Sequence, residues 1–349
     1  MKYRKDTSPL ARKRRKHLIL VTLTACVAGA FLGGAIHTLW LAAGRVDQMR
    51  HHATYDANSP NEVSKHVQAA GEFFDATTRN SGVSIYTIAR VESLVKDDVW
   101  KRLAGQVSVP SGIFMMGTNR PESDLQDRPR HTSRTNAFSI DKFPVTNAQY
   151  AMFTTETAHK VPSYWKNGVI PKGFALHPVV LVTWQDAANY CTWVGKHLPT
   201  EAEWEKAARG TDGRRWPWGN HMNPEMLNTY NTRGTTTSVF AHMDGASPYG
   251  AVDMAGNVSE WTADDFKPYK GSQAPTSMFL IDQSASKYGA AEHYKVIRGG
   301  SWKSDPFSTS TYHRSYAMYG DASNFIGFRC AIPKSVKKSA TEHKYAQHH

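Results

Sequence analysis

The hydrophobic pattern opens with one long run. From Leu18 to Gly44 the chain reads LILVTLTACVAGAFLGGAIHTLWLAAG, with no formally charged side chain and one polar interruption at His37. A helix rises about 1.5 Å per residue and about 20 apolar residues cross a bilayer, so this run predicts one transmembrane helix over residues 18–44. The alternative is a cleaved signal peptide ending at Ala42-Ala43-Gly44, but the apolar stretch of such a peptide is ordinarily about 7–15 residues long. Further along, apolar residues fall three and four apart: Val63, Val67, Ala70, Phe73 and Phe74, then Ile85, Ile88, Val91, Leu94 and Val95. That spacing predicts helix, broken near Asn80-Ser81-Gly82, and makes residues 45–106 a helical juxtamembrane spacer.

From residue 107 long periodic segments give way to short ones. Three brief helices are announced by a threonine followed three residues later by a carboxylate or amide: Thr146 with Gln149, Thr183 with Asp186, and Thr200 with Glu203. In such a capping box the hydroxyl accepts from an orphan backbone N–H while the later side chain reaches back to the cap. Gly195 and Gly210 are placed to close the second and third helices. The remainder is rich in Gly, Trp and Asn with short β-prone runs, and it lacks both repeated βα units and a GxGxxG turn. A TIM barrel and a Rossmann fold are thereby excluded.

Charge sharpens this division. The formal net charge is +12, but residues 1–17 carry eight Lys and Arg against Asp6, and Lys334, Lys337, Lys338 and Lys344 stand against Glu342 in residues 334–349. The body between is nearly neutral, which is poor ground for a phosphate-binding face, and nucleic acid is not expected as a partner. The basic head beside an apolar helix is a topology signal. Positive residues stay on the cytoplasmic side, so the N-terminus is expected inside a bacterial inner membrane and the main domain in the periplasm. Ala25, Gly29 and Gly33 recur every four residues in the apolar run, a spacing that lets a second membrane helix approach closely; the alternative is that Gly and Ala are simply common in such helices. A membrane or periplasmic protein partner is expected on that ground.

The blocks Gly112-Ile-Phe-Met-Met-Gly117, Phe143-Pro-Val-Thr-Asn147, His177-Pro-Val-Val-Leu-Val-Thr-Trp-Gln-Asp-Ala187, Leu198-Pro-Thr-Glu-Ala-Glu-Trp-Glu205, Trp216-Pro-Trp-Gly-Asn220, Gly256-Asn-Val-Ser-Glu-Trp261, Arg298-Gly-Gly-Ser-Trp302 and Gly327-Phe-Arg-Cys330 together resemble the formylglycine-generating enzyme, or sulfatase-modifying factor, family. The resemblance runs over residues 107–333. It implies an α+β, C-type-lectin-like fold with little regular secondary structure. The polar, basic residues 334–349 that follow are expected as a flexible tail. Fold alone does not fix function on such a scaffold.

Active members of that family carry two copper-binding cysteines shortly after the GGS(W/Y) block, because soft thiolates suit Cu(I). The matching positions here are Ser304 and Thr309, and the chain holds only Cys26, Cys191 and Cys330. Neither copper nor formylglycine formation is expected. An iron-dependent branch is disfavoured as well, since His51, His52 and His66 lack the helical His spacing it uses. The resemblance pairs Cys191 with Cys330 as a disulfide; two buried free thiols are the alternative. It also gives Asp253, Gly256, Val258 and Glu260 the places of a structural calcium loop, with Asn228 and Thr229 matching half of a second site that Arg233 spoils. His313 and Arg314 fall where the family has arginines bracing the domain. Trp165, Trp216 and Trp218 are candidates for a binding groove or for the core.

Two functions follow as expectations. One is a membrane-anchored periplasmic accessory or assembly protein that binds a membrane or periplasmic partner. The other is a periplasmic oxidase or maturation enzyme of the same fold with a non-cysteine site, related to siderophore maturation or respiratory nitrite reduction.

Overall fold

The computed structural model describes residues 86–279 and 294–334. The predicted anchor with Ala25, Gly29 and Gly33, most of the spacer and the tail lie outside the described residues. Among the described residues no helix is long and apolar enough to cross a membrane.

All three capping boxes form. Thr146 opens α3 (Asn147–Thr157), Thr183 opens α4 (Trp184–Trp193) and Thr200 opens α5 (Glu201–Arg209), each with both reciprocal hydrogen bonds. Gly210 caps α5, and Gly195 follows the end of α4 with φ +71°. Two shorter helices, α1 (Ile88–Glu92) and α2 (Asp97–Leu103), precede them. They belong to the domain: Tyr86, Val91 and Leu103 are buried, and the Tyr86 hydroxyl accepts from Ile170 N at 3.0 Å. The spacer expected over 45–106 therefore gives way to folded domain before residue 107, because its last apolar residues find core partners far along the chain.

The strands are short and fall into three sheets among the described residues. β1 (Gln106–Val109), β4 (Phe138–Asp141) and β9 (Ala331–Pro333) form one antiparallel sheet in the order β1-β4-β9, which joins the two ends of the domain. β2 (Gly112–Met116) pairs with β3 (His131–Thr135) as a hairpin-like ribbon. β7 (Arg314–Met318), β6 (Tyr294–Arg298), β5 (Ser259–Asp265) and β8 (Ile326–Gly327) form the third in that order, with β8 parallel to β5. Loops carry much of the rest, as the irregular pattern predicted.

The largest cluster of buried apolar side chains gathers Tyr150, Phe153, Trp165, Tyr190, Trp261 and Phe328 with Cys191 and Cys330. Those two cysteines are joined, with Cα atoms 5.6 Å apart, so the disulfide reading holds over the free-thiol one. Trp165 is core and not groove. A second cluster packs Trp204, Ala207 and Ala208 of α5 against Val109, Phe138, Ile140 and Met254. α5 is also buried on its charged side. Lys206 Nζ donates to the carbonyls of Pro110 and Gly112 at 2.7 and 3.0 Å and to Thr135 Oγ1 at 2.9 Å, tying the β2–β3 ribbon to the helix.

Candidate functional site

The loop after β6 begins Gly299-Gly300-Ser301-Trp302. A β-carbon on Gly299 (φ +88°) would stand 3.0 Å from Trp204 Cζ2, and one on Gly300 (φ +65°) 2.7 Å from Ser308 O. Only glycine fits this turn, which brings the following loop over α5. Ser304 and Thr309 sit on that loop, and both hydroxyls are engaged. Ser304 Oγ accepts from Ser301 N at 2.9 Å, while its carbonyl accepts from Tyr230 N and Thr229 Oγ1. Thr309 is fully buried; its hydroxyl donates to Pro306 O at 2.8 Å and accepts from Trp216 Nε1 at 3.2 Å. A hydroxyl is a poor nucleophile unless a base activates it. Neither of these has a carboxylate or imidazole among its hydrogen-bond partners in the described residues.

Aromatic and basic groups rim the loop. Arg215 lies 4.8 Å from the ring centroid of Trp216 and 4.9 Å from that of the exposed Phe307. Trp218 stacks on Trp216 with centroids 6.4 Å apart. Of the three tryptophans considered for a groove, Trp216 is buried beside Leu227 and Ala255, and Trp218 is half-buried against it. Burial pulls the Lys303 ammonium down to about 8, and its Nζ lies 4.9 and 5.2 Å from the Trp302 and Phe325 rings.

Beneath the loop lies a network of buried ions that a local reading of the sequence misses. Arg298 donates to Glu205 Oε2 at 2.5 Å and Glu201 Oε1 at 3.1 Å, and to the carbonyls of Thr311 and Tyr312. Arg314 holds both oxygens of Glu201, at 2.6 and 3.0 Å, and Arg209 reaches Glu205 Oε1 at 2.7 Å. The bracing expected of Arg314 is thus carried by Glu201 on α5. His313 lies elsewhere: its Nδ1 is 3.2 Å from Asp127 Oδ2 and 3.6 Å from Asp124 Oδ2. Burial works against a charged His313, but the carboxylates of Asp127, Asp124 and Asp305 together outweigh it and raise the imidazole above its ordinary value.

Of the residues expected to hold calcium, Glu260 is already engaged. Both oxygens of Glu260 are taken, by Arg329 Nε and Nη2 at 2.7 Å each and by Trp204 Nε1 at 2.7 Å. A guanidinium chelating the carboxylate leaves no lone pair well placed for a cation, so Glu260 departs from the expected ligand set. Asp253 and Asn228 differ. Asn257 bridges them, donating to Asp253 Oδ2 at 3.0 Å and accepting from Asn228 Nδ2 at 3.4 Å. Asp253 Oδ1 and Asn228 Oδ1 are buried with no hydrogen-bond partner among the described residues. Burial pushes the Asp253 carboxyl up to about 7, from an ordinary 3.8. Between those values the folded chain holds a proton that the unfolded chain has released, so stability falls as pH rises through this window. Urea unfolding of the wild type at mildly acidic and neutral pH is expected to show that fall, and Asp253→Asn to reduce it. An equal slope in both proteins would assign the effect to other groups.

Comparison with known proteins agrees with this geometry. The model of the sulfatase-modifying factor enzyme 1-like domain matches residues 91–334, a span that begins in α1 and ends just past β9. A formylglycine-generating enzyme of Thermomonospora curvata is 32% identical over 286 residues, covering 65% of this chain and 93% of that protein. The serine/threonine-protein kinase pkn1 of Chlamydia caviae is 35% identical over 248 residues, which are 66% of this chain but 38% of that protein. The solved structure of PvdO from Pseudomonas aeruginosa superposes with a TM-score of 0.50 at 25% identity, covering 65% of this chain and 93% of that one.

Proposed function

The chain belongs to the family of sulfatase-modifying factor enzyme 1-like domains, and within it we propose a member that does not generate formylglycine and acts by binding a protein partner. One observation carries this reading. At the two positions that the resemblance assigns to copper cysteines stand hydroxyls, and both are spent on holding their own loop. A scaffold kept intact while its reactive groups become structural is suited to recognition. The apolar run over 18–44 and its basic flank support a membrane anchor with the domain on the periplasmic side. The Cys191–Cys330 disulfide agrees with that side, since disulfides persist in oxidising compartments. The partner is then a membrane or periplasmic protein, met in part through Ala25, Gly29 and Gly33.

Purification of the full chain from native membranes tests this. A stoichiometric partner is expected with the wild type and its loss with Gly29→Leu/Gly33→Leu, because leucine blocks close helix approach. Equal recovery from both would reject the role of that face.

A structural calcium ion forms part of the same proposal. Asp253 Oδ1 and Asn228 Oδ1 are hard oxygen donors of the kind calcium takes, and the Gly256 and Val258 carbonyls, with water, would complete the set without Glu260. Bound calcium would keep Asp253 ionised and stiffen the loop. Calcium is expected to raise the melting temperature of the wild type and to leave that of Asp253→Asn unchanged; no shift in the wild type would remove the ion from the account.

A further inference from the structure

We propose that Asp124, Asp127 and His313 form a binding site for a divalent transition-metal ion, Zn2+ being the best match. The site is independent of the partner-binding reading. Its three groups come from two places far apart in sequence: the 3-10 turn Leu125–Asp127 with the residue before it, and the residue just ahead of β7. One nitrogen and two carboxylate oxygens lie within 4.8 Å of one another, with His313 Nδ1 at 3.2 Å from Asp127 Oδ2 and 3.6 Å from Asp124 Oδ2. Ligands bound to zinc at about 2.0–2.2 Å stand roughly 3–3.5 Å apart around it, so the groups need little movement to close on an ion.

Charge distinguishes this cluster from the carboxylates of the arginine network. Glu201, Glu205 and Glu260 each have an arginine partner. Among the described residues neither Asp124 nor Asp127 makes an ion pair with lysine or arginine, although Asp127 is only 1% exposed. The guanidinium of neighbouring Arg314 is committed to Glu201. Burying a carboxylate without a cation is costly, and here the available cations are a protonated His313 or a bound metal. The surroundings also orient the ligands. Arg314 N donates to Asp127 Oδ1 at 2.8 Å and Gln126 Nε2 to Asp124 Oδ2 at 3.2 Å, the outer hydrogen bonds that fix ligating carboxylates. The Asp124 side chain is 41% exposed, which gives an ion a way in and leaves a coordination position to water. With metal bound, Nδ1 of His313 presents its lone pair and the ring proton resides on Nε2. A mixed imidazole and carboxylate set suits zinc better than calcium, which prefers oxygen alone.

The test is equilibrium dialysis of the full chain against Zn2+ at neutral pH, with bound metal counted, for the wild type, His313→Gln and Asp124→Asn. Asp124 is exposed enough for its variant to fold even if the histidine variant does not. Any zinc held by the histidine-containing termini is common to all three proteins. The expected result is one zinc fewer in each variant, or at least about tenfold weaker binding at one site, and a ligand-field band with Co2+ that both variants lose. Identical zinc counts and affinities in all three proteins would overturn the proposal and leave His313 as an imidazolium between two carboxylates. Loss in Asp124→Asn with His313→Gln unchanged would overturn it as well, since the histidine nitrogen is the defining ligand.

Discussion

Arg298→Met is expected to lower the free energy of unfolding by about 3–5 kcal/mol, the cost of removing one member from a buried ion network. Arg298 is fully buried, with its guanidinium shared between Glu205, Glu201 and the carbonyls of Thr311 and Tyr312. Methionine replaces most of its volume and none of its charge. Glu205, itself without solvent contact, would retain Arg209 and the Gly117 N–H on one oxygen, while the oxygen that Arg298 held would lose its charged partner. The asymmetry matters. The network as a whole need not add much stability over an apolar core of equal volume, but a broken one is expensive because a charge remains behind. Its work here is positional: it joins α5 to β6, β7 and the loop that carries Thr311 and Tyr312. Equilibrium urea unfolding of the variant measures the effect, and a change below about 1 kcal/mol, the range of exposed pairs, would show that the network is solvated in solution.

Replacing both cysteines, Cys191→Ala/Cys330→Ala, is expected to cost about 2–5 kcal/mol. The bridge spans a sequence separation of 139 residues and joins α4 to the segment leading into β9. Without it the unfolded chain gains the freedom of a long open loop, and the folded core loses two small buried sulfur atoms beside Tyr190 and Phe328. Both cysteines are fully buried, so reductant would reach them chiefly through the unfolded chain, and the double variant is the cleaner comparison. An unchanged unfolding midpoint would contradict a stabilising role for the bridge.

What could be read from the sequence was local or came from the ordered blocks. The caps at Thr146, Thr183 and Thr200 involve residues three apart and formed as expected. The cysteine pairing followed from resemblance and is present. Long-range competition was not legible. Glu260 lies in a loop whose motif suggests a cation, yet Arg329, distant in the chain, takes its carboxylate. The segment Glu201–Arg209 carries charge at five of its nine positions, yet Glu201, Glu205, Lys206 and Arg209 are all buried because partners converge on them from several separate segments. A signal was available in Arg298, which follows Val296 and Ile297, and in Arg329, between Phe328 and Cys330; arginines in such apolar runs call for carboxylates somewhere. Likewise, Val91 and Leu103 have the spacing of any amphipathic helix; only their contacts show that they belong to the domain and not to the spacer.

The exchange of two reactive thiols for two structural hydroxyls is the centre of this account, and peptide oxidation tests it most directly. The purified full chain, supplied with Cu(I), air and a sulfatase-derived peptide containing the target cysteine, is expected to leave that cysteine unconverted by mass analysis. The Ser304→Cys/Thr309→Cys variant is expected to gain a bound Cu(I) relative to the wild type. Formylglycine in the wild-type reaction would contradict the account.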